Sequence, residues 1–326
     1  GRITGYSIVD IVRGDGQVID TDVTTGEVDQ ASAGAQSISS TSFTVDGTHD
    51  DWNRASDTYV SWNWKAGGAP TTDNVAVAGA TPTAGSVKID GVNLGSALAG
   101  SIAATRLSAN TTSGMSIVQY TGTGSAATIA HGLGVKPALM IFKKTNGTDD
   151  WAVWQKDLHG DSTLNALKMT GASYVSSSTW WNSTDPTTSV INVGTNGATG
   201  AANEFICYVF AEIPGFSKVG NYVVNAGAAT NGDGNFLYTG FKPAFFLNKM
   251  SDGPDGAGSW FLYDNKRNAY NMTDNYLVPD YDYAQNPSGQ GWDFLSNGIK
   301  LRASFSANTT IYIAFAESPF KYSNAR

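Results

Sequence analysis

The chain has 326 residues, with 28 acidic against 20 basic side chains and a net charge of −8, so it lacks the electrostatic footprint of a nucleic-acid-binding protein. Its single cysteine, Cys207, excludes an intrachain disulfide and cysteine-rich zinc patterns, and its apolar runs fall short of the roughly 20 residues that a membrane helix needs. With 37 glycines, 11% aromatic and only 15% charged residues, the composition predicts an all-β protein.

The first predicted elements are two strands near the amino end. One is "SISSTSFTVDG" at 37–47, and the other lies in "DTYVSWNWKAGG" at 57–68. In the second, Val60, Trp62 and Trp64 alternate with polar residues and therefore share one strand face. These tryptophans admit two interpretations, a stacking platform for a ligand or the buried face of a strand.

Composition changes after the second strand. Residues 69–114 are rich in Gly, Ala, Thr and Ser, and "GAPTTDNVAVAGATPTAG" has the composition of a linker. The following "SVKIDGVNLGSALAGSIAATRLS" contains one predicted short strand and a turn of helix. We therefore predict a connector at 69–114.

The rest of the chain contains a duplicated unit. Two pairs of segments match in wording and order: "GLGVKPALMIFKK" at 132–144 with "GFKPAFFLNKM" at 240–250, and "FICYVFAEIPGF" at 205–216 with "TIYIAFAESPFK" at 310–321. The offset of about 105 residues, seen between Glu212 and Glu317, is similar for both pairs. We predict two complete antiparallel β-sandwich modules of the concanavalin or jelly-roll type, at 115–214 and 215–326.

The same alignment decides between the two interpretations of the amino-terminal tryptophans. Trp64 falls where Phe210 and Phe315 stand in the last strand of each copy, so buried strand residues are favoured over a ligand platform. Residues 1–68 then form the C-terminal half of a third module. An open half exposes sheet edge and apolar surface, so the molecule is processed, is part of a longer chain, or is completed by another chain.

Several phrases carry a family resemblance: "YVSWNWKAGG", "MSIVQYTGTGSAATIAHGLGVKPALMIFKK", "FAEIPGFSKVGNY", "YDNKRNAYN" and "YIAFAESPFKYSNAR". They resemble the repeat modules of virion proteins, often tail fibre or tail structural proteins, of phages that infect marine bacteria and cyanobacteria. The resemblance covers nearly the whole chain and is weaker at 81–113. It implies a concanavalin-like, lectin-like sandwich in each module, a virion location, and structural or attachment work. It supplies no catalytic motif.

The sequence contains little that indicates catalysis. Glu212 and Glu317 occupy the same place in two copies, whereas a glycosidase needs two different carboxylates across one site, so we interpret them as structural. His49, His131 and His159 lie in turn-like surroundings without zinc-ligand spacing or a nucleophile elbow. We predict no catalytic residue.

Two glycine-rich turns offer oxygen ligands. "TNGDGN" at 230–235 and "SDGPDG" at 251–256 hold Asp233, Asp252 and Asp255, which could gather around calcium. Because Asn, Asp and Gly also supply the dihedrals of tight turns, we interpret both as turns and predict neither a metal nor a cofactor.

Aromatic residues in turns are better binding candidates. Neighbouring residues on a strand point to opposite faces, so one ring of the "STWWNSTDP" turn could be exposed to a ligand; the interpretation that we favour packs one ring in the core and the other at a module interface. "DNYLVPDYDYAQN" is the matching turn of the last module. Sugars bind aromatic faces beside a few polar groups. The candidate glycan contacts are Trp180, Trp181, Asn182, Asp185, Tyr276, Tyr281 and Tyr283.

These observations lead to one main hypothesis and several alternatives. The main hypothesis is a non-enzymatic virion protein, a tail fibre or tail-associated chain, extracellular when mature. Its expected partners are other virion proteins, copies of itself in a homotrimer, and host cell-surface polysaccharide, without nucleic acid or membrane insertion. The alternatives are a polysaccharide depolymerase, a capsid decoration or assembly protein without receptor binding, and a secreted bacterial adhesin.

Overall fold

The computed structural model of the protein describes residues 5–31, 35–45, 50–158, 160–171, 174–225, 233–252, 258–302 and 307–317. Across these ranges the chain forms antiparallel and mixed β-sheets with a single four-residue helix, which confirms the predicted all-β class. No helix of this part of the chain is long and apolar enough to cross a membrane. We describe an N-terminal unit (5–66), a middle unit (67–214) and a C-terminal unit (215–317).

The N-terminal unit has short elements in two small sheets, β1-β2-β3 and β4-β5. Its elements are β1 (Ser7–Ile8), β2 (Gln17–Asp20), β3 (Val28–Asp29), β4 (Ala35–Ile38), β5 (Phe43–Val45) and α1 (Asp50–Asn53). Of the strand predicted at 37–47, residues 37–45 form a hairpin instead, because the amide of Ser39 donates to the Ser42 carbonyl at 2.7 Å and turns the chain; residues 46–47 lie outside the described residues.

Residues 57–66 follow as an extended segment with no strand partner among the described residues. Val60, Trp62 and Trp64 are half-buried, and Ser61 and Asn63 between them are exposed. The predicted alternation is therefore present although the segment belongs to no sheet. The two tryptophan rings pack on apolar residues of the other units, which favours the structural interpretation over a ligand platform.

The middle unit is a sandwich of a nine-stranded and a two-stranded sheet. The large sheet has the order β14-β13-β12-β11-β16-β9-β8-β6-β7, and β10 pairs with β15. Phe142 and Phe205 from the first sheet and Ile129 and Ile191 from the second share one core. The strands are β6 (Val87–Ile89), β7 (Val92–Asn93), β8 (Ala104–Asn110), β9 (Met115–Thr121), β10 (Ala127–Ala130), β11 (Leu139–Lys144), β12 (Ala152–Gln155), β13 (Asn165–Lys168), β14 (Tyr174–Ser176), β15 (Val190–Val193) and β16 (Glu204–Phe210).

The segment predicted as a connector, 69–114, differs from that expectation. It contributes β6, β7 and β8 to the large sheet, and Leu107 and Ala109 are fully buried. Small residues permit close backbone contact here, since a side chain at Gly67 would meet the carbonyl oxygen of Ala109 at 2.0 Å. The glycine-rich and alanine-rich composition thus reflects tight packing rather than a flexible linker.

The C-terminal unit is a sandwich of two four-stranded sheets, β17-β24-β19-β20 and β18-β23-β22-β21. Phe246 and Ala314 of the first sheet pack on Trp292 and Ile299 of the second. The strands are β17 (Ser217–Val223), β18 (Phe236–Tyr238), β19 (Pro243–Met250), β20 (Trp260–Asp264), β21 (Thr273–Tyr276), β22 (Asn286–Leu295), β23 (Gly298–Leu301) and β24 (Thr309–Ala316).

The middle and C-terminal units share a strand register. In the middle unit β11 lies between β12 and β16, and Lys143 is opposite Ile206. In the C-terminal unit β19 lies between β20 and β24, and Lys249 is opposite Ile311. These residues are also the ones that the sequence alignment matches. The count of two complete copies and one half copy remains a prediction.

The three units meet at a junction of aromatic rings. The ring centroid of Trp64 lies 6.2 Å from that of Phe210 and 5.5 Å from that of Phe315, and the two phenylalanine centroids are 5.7 Å apart. All three contacts are edge-on, a geometry that aromatic pairs prefer. Because the sequence alignment places these residues at one position of the unit, equivalent positions of three units converge, as they would around a three-fold axis.

The predicted repeated core face is buried, but it faces neighbouring units rather than the inside of a sandwich. On β16, Ile206, Tyr208 and Phe210 pack in the junction. Cys207 and Val209, which point the other way, belong to the core of the middle unit. Both faces of β16 are therefore buried, which explains why its sequence is a continuous run of apolar residues.

Removal of one junction ring should destabilise the whole chain. Phe315 is 5% exposed and contacts Trp64 and Phe210, so we expect Phe315→Ala to lower the free energy of unfolding by about 3–5 kcal/mol. Urea unfolding followed by near-ultraviolet circular dichroism measures the change. Phe236→Ala is the control, because that ring is 45% exposed. An equal loss for both variants would contradict the importance of the junction.

Candidate functional site

The turn that contains Trp180 and Trp181 does not form a surface platform. The two side chains are 3% and 1% exposed, and the ring of Trp181 packs 5.3 Å from that of Phe142 in the core of the middle unit. Neither ring is exposed to a ligand, and both lie in the core of the middle unit rather than one of them at an interface between modules. The chain turns here, with positive φ at Asn182 and Ser183, so neighbouring side chains do not alternate as they do on a strand.

The polar residues of this turn have structural contacts. Asn182 is exposed, but no exposed aromatic ring accompanies it in the turn. The carboxylate of Asp185 accepts hydrogen bonds from Lys136 Nζ at 2.9 Å and Ser162 Oγ at 3.0 Å, and its carbonyl accepts one from Asn192 at 2.8 Å. Asp185 therefore fastens the turn to its surroundings, and the four predicted contacts do not form a site.

The tyrosine turn of the C-terminal unit does form a surface feature. Tyr276 and Tyr283 line a solvent-open groove of about 260 Å³. We call it the tyrosine groove, and its lining residues are Ser259, Phe261, Tyr276, Val278, Tyr283 and Asn286. The structure thus brings together two of the three tyrosines that the sequence singled out, and Tyr281 stacks beside the groove on Tyr283.

The groove combines aromatic faces with polar groups. The rings of Tyr281 and Tyr283 stack with centroids 5.3 Å apart and planes 8° apart, and they are 43% and 55% exposed. Phe261 and Tyr276 meet edge-on at 5.2 Å, and the amide of Asn286 donates to the Tyr276 hydroxyl at 3.1 Å. Apolar surface next to a few fixed donors and acceptors is the usual composition of a small-ligand site.

A residue from the opposite end of the chain supports this groove. The hydroxyl of Tyr6 donates to the carbonyl of Tyr283 at 2.9 Å and accepts from the amide of Val278 at 3.2 Å. Burial raises the pKa of the Tyr6 hydroxyl, so it stays protonated and able to donate. Sequence reasoning missed Tyr6, Phe261 and Asn286. Tyr6 reaches the groove only because the N-terminal unit packs on the C-terminal unit, whereas Phe261 and Asn286 belong to the same unit as the tyrosines.

A second groove of about 320 Å³ contains Glu212, together with Val135, Lys136, Pro137, Ala138 and Lys156. Glu212 Oε1 lies 2.8 Å from Lys218 Nζ and accepts from the Val219 amide at 3.1 Å. Burial raises the pKa of Glu212, but these hydrogen bonds outweigh it and hold the pKa below its ordinary value. Glu317 pairs with Lys266 at 2.5 Å. Both repeated glutamates thus make ion pairs, as the structural interpretation expects.

Histidine and aspartate residues of the described part form no metal cluster. His131 is buried between the Thr187 carbonyl and the Leu133 amide, and burial lowers its pKa to about 4, so it is neutral near pH 7. Asp233 pairs with Lys300 at 2.6 Å, and Asp252 accepts from the Thr309 amide at 2.6 Å. His49, His159 and Asp255 lie outside the described residues.

Two buried lysines stand at matching positions of the middle and C-terminal units. Lys143 Nζ lies 5.9 Å from the ring centre of Trp151 and donates to the carbonyls of Thr24, Lys144 and Asp149 at 3.1 Å each. Lys249 Nζ lies 5.7 Å from the ring centre of Trp260 and donates to the Gly258 carbonyl. Sequence reasoning missed them, although both align within the matched segments at 132–144 and 240–250.

These features define a class: an all-β protein whose units pack around a shared aromatic junction and present an open, tyrosine-lined groove. The chain belongs to the family described as Domain of unknown function (DUF7483), whose model matches residues 2–90 and 88–319. No curated protein and no solved structure matches the chain.

The buried lysines predict a dependence of stability on alkaline pH. Burial lowers the pKa of Lys143 and Lys249 to about 8, against an ordinary value of 10.5. Between these values the unfolded chain binds more protons than the folded chain, so the free energy of unfolding should rise with pH. From about pH 7.5 to about pH 9.5 we expect a gain on the order of 1 kcal/mol per lysine.

Urea unfolding at both pH values measures this gain. The double variant Lys143→Met and Lys249→Met should show a flatter pH profile, whereas Lys136→Met, which changes an exposed lysine, should keep the slope of the parent chain. An unchanged slope in the double variant would show that the two lysines do not titrate in this window.

Proposed function

We propose that the chain is a non-enzymatic structural protein of a phage virion, a tail fibre or tail-associated protein, that adheres to glycans on the host surface. The tyrosine groove is the observation that carries the adhesion part of this proposal. The sequence resemblance to tail fibre and tail structural proteins supports the virion part.

The chemistry of the groove suits a sugar ring. The exposed face of Tyr283 offers apolar surface to the C–H groups of a sugar, and the Tyr276 hydroxyl and the Asn286 amide are polar partners for its hydroxyl groups. Tyrosine and asparagine are also common in adaptable binding surfaces, because they combine contact area with hydrogen bonding. A neutral or weakly charged polysaccharide fits this set of residues.

The packing of the units suits a tail component. A unit that shares buried aromatic contacts with its neighbours cannot swing freely, so the groove keeps a fixed position relative to the other units. The proposed partners are other virion proteins and further copies of the chain in a homotrimer. Light scattering at micromolar concentration tests the trimer, and a monomer would contradict it.

The groove makes a specific prediction about glycan binding. We expect Tyr283→Ala to weaken binding to the best ligand of a bacterial surface-polysaccharide array by roughly tenfold, because the variant removes the exposed ring that would stack on the sugar. Isothermal titration with that polysaccharide measures the change.

Tyr270→Ala is the matched control, since Tyr270 is 87% exposed and does not line the groove. We expect this variant to bind like the parent chain. Equal weakening in both variants, or no polysaccharide that binds the parent chain, would refute adhesion through the groove. Shortening of the polysaccharide during the titration would refute the non-enzymatic assignment.

The virion location has its own test. Immunogold electron microscopy with antibodies against residues 115–326 should place gold on the tail or its fibres. Gold at the fibre tips would support adhesion, and gold along the tail shaft would support assembly alone. Labelling of the head would indicate a capsid decoration protein, and an unlabelled virion would contradict the whole proposal.

A further inference from the structure

The elements of the N-terminal unit correspond to the strands that flank β11 and β19. The same antiparallel pairing recurs in all three units: Ile8 with Ile19, Val153 with Leu167, and Leu262 with Leu277. Arg13 Nε pairs with Asp10 Oδ2 at 2.6 Å, and Arg267 Nε pairs with Asp264 Oδ2 at 2.6 Å in the matching turn. β1 therefore corresponds to β12 and β20, and the extended segment 57–66 corresponds to β16 and β24.

The strand position between β1 and the segment 57–66 has no occupant among the described residues. In the middle unit β11 pairs with both β12 and β16, and in the C-terminal unit β19 pairs with both β20 and β24. β1 pairs only with β2, and 57–66 pairs with no described strand. We call the position between β1 and 57–66 the strand slot.

Open backbone groups line both sides of the slot. By the register of the other units, the amides and carbonyls of Val60, Trp62 and Trp64 face it from one side, and those of Ser7 and Val9 from the other. In the described part of the chain these backbone groups make no hydrogen bond. Such edges are the template to which an extended segment adds as a new strand.

A half-buried carboxylate marks where one side chain of the added strand would lie. Lys249, opposite Trp260 in the C-terminal unit, interacts with the carboxylate of Asp280, three residues after Leu277. Asp22 takes the same place in the N-terminal unit, three residues after Ile19. Its Oδ1 is buried and finds no donor among the described residues. Burial and the carboxylates of Asp20 and Asp282 raise the pKa of Asp22, so a cation is what this position lacks.

We infer that the strand slot binds a lysine-bearing β-strand of the β11 and β19 type from another segment of polypeptide, and that Asp22 pairs with the lysine of that strand. Its amides would bond to the carbonyls of 57–66 in antiparallel register, its apolar side chains would meet Trp62 and Trp64, and its ammonium would lie over the ring of Tyr6. Lys143 over Trp151 and Lys249 over Trp260 show this arrangement in the other units.

The test uses the whole chain and a dye-labelled synthetic peptide with the sequence of residues 242–251, KPAFFLNKMS. Fluorescence anisotropy should show binding, and hydrogen exchange should slow at the amides of Val60, Trp62 and Trp64. N-methylation of the peptide at Leu247, whose counterpart in β19 lies opposite Ile313, should abolish binding because it blocks the hydrogen bond at the centre of the strand.

A double-mutant cycle tests the ion pair. Asp22→Asn in the chain, or norleucine for Lys249 in the peptide, should each weaken binding by about tenfold, and the two changes together should weaken it little more than either alone. Norleucine for Lys242 in the peptide is the control, because that residue precedes the strand; it should leave the affinity unchanged. Circular dichroism of Asp22→Asn checks that the variant folds.

Four results would overturn the inference. The first is a monomer in which the amides of Val60, Trp62 and Trp64 already exchange slowly and no peptide binds. The second is equal binding of the N-methylated peptide, and the third is faster exchange at β11 or β19, which would mean that the peptide displaces one of these strands. Slow exchange of 57–66 that disappears on dilution would assign the slot to a second copy of the chain and would also overturn it. These outcomes do not depend on whether the tyrosine groove binds glycans, so the inference and the proposed function can fail separately.

Discussion

Contact among Trp64, Phe210 and Phe315 is the constraint on which the rest of the molecule depends. Each ring ends the central strand or segment of its unit, and each touches the other two. The central strands therefore need large apolar residues on both faces, one for the sandwich and one for the junction. Because both faces are buried, β11, β16, β19 and β24 lie at the middle of their sheets. The tyrosine groove belongs to the C-terminal unit, which cannot reorient independently of the other two units.

Polar side chains also link the units at the junction. Asp10 accepts from Arg13 at 2.6 Å and from the Tyr208 hydroxyl at 2.8 Å, which links the N-terminal and middle units. A buried ion pair adds little net stability, but loss of one partner leaves an uncompensated charge. These contacts therefore favour one arrangement of the units over others more than they raise the stability of the fold.

Sequence periodicity predicted which residues of a single segment are buried, but it did not predict the contacts between segments that are distant in the sequence. Alternation of Val60, Trp62 and Trp64 and the match of Phe210 with Phe315 predicted the buried face, because burial of alternate residues leaves a two-residue pattern. The pattern could not tell a sandwich core from a junction, since both are apolar. Burial of Leu107 and Ala109 was missed because the residues around them are small. Exposure of Trp180 or Trp181 was considered on the basis of strand alternation, which does not hold in a turn. Tyr6 contacts Tyr283 only because the units pack together.

The fully buried thiol of Cys207 has a practical consequence. Burial raises its pKa well above the ordinary value, so thiol reagents find neither access nor thiolate in the folded chain. The residue lies on β16, between Ile206 and Tyr208, which face the junction, while its own side chain lines the sandwich. Its rate of alkylation by an added thiol reagent therefore measures how often the central strand opens, and no substitution in the chain is needed to follow it.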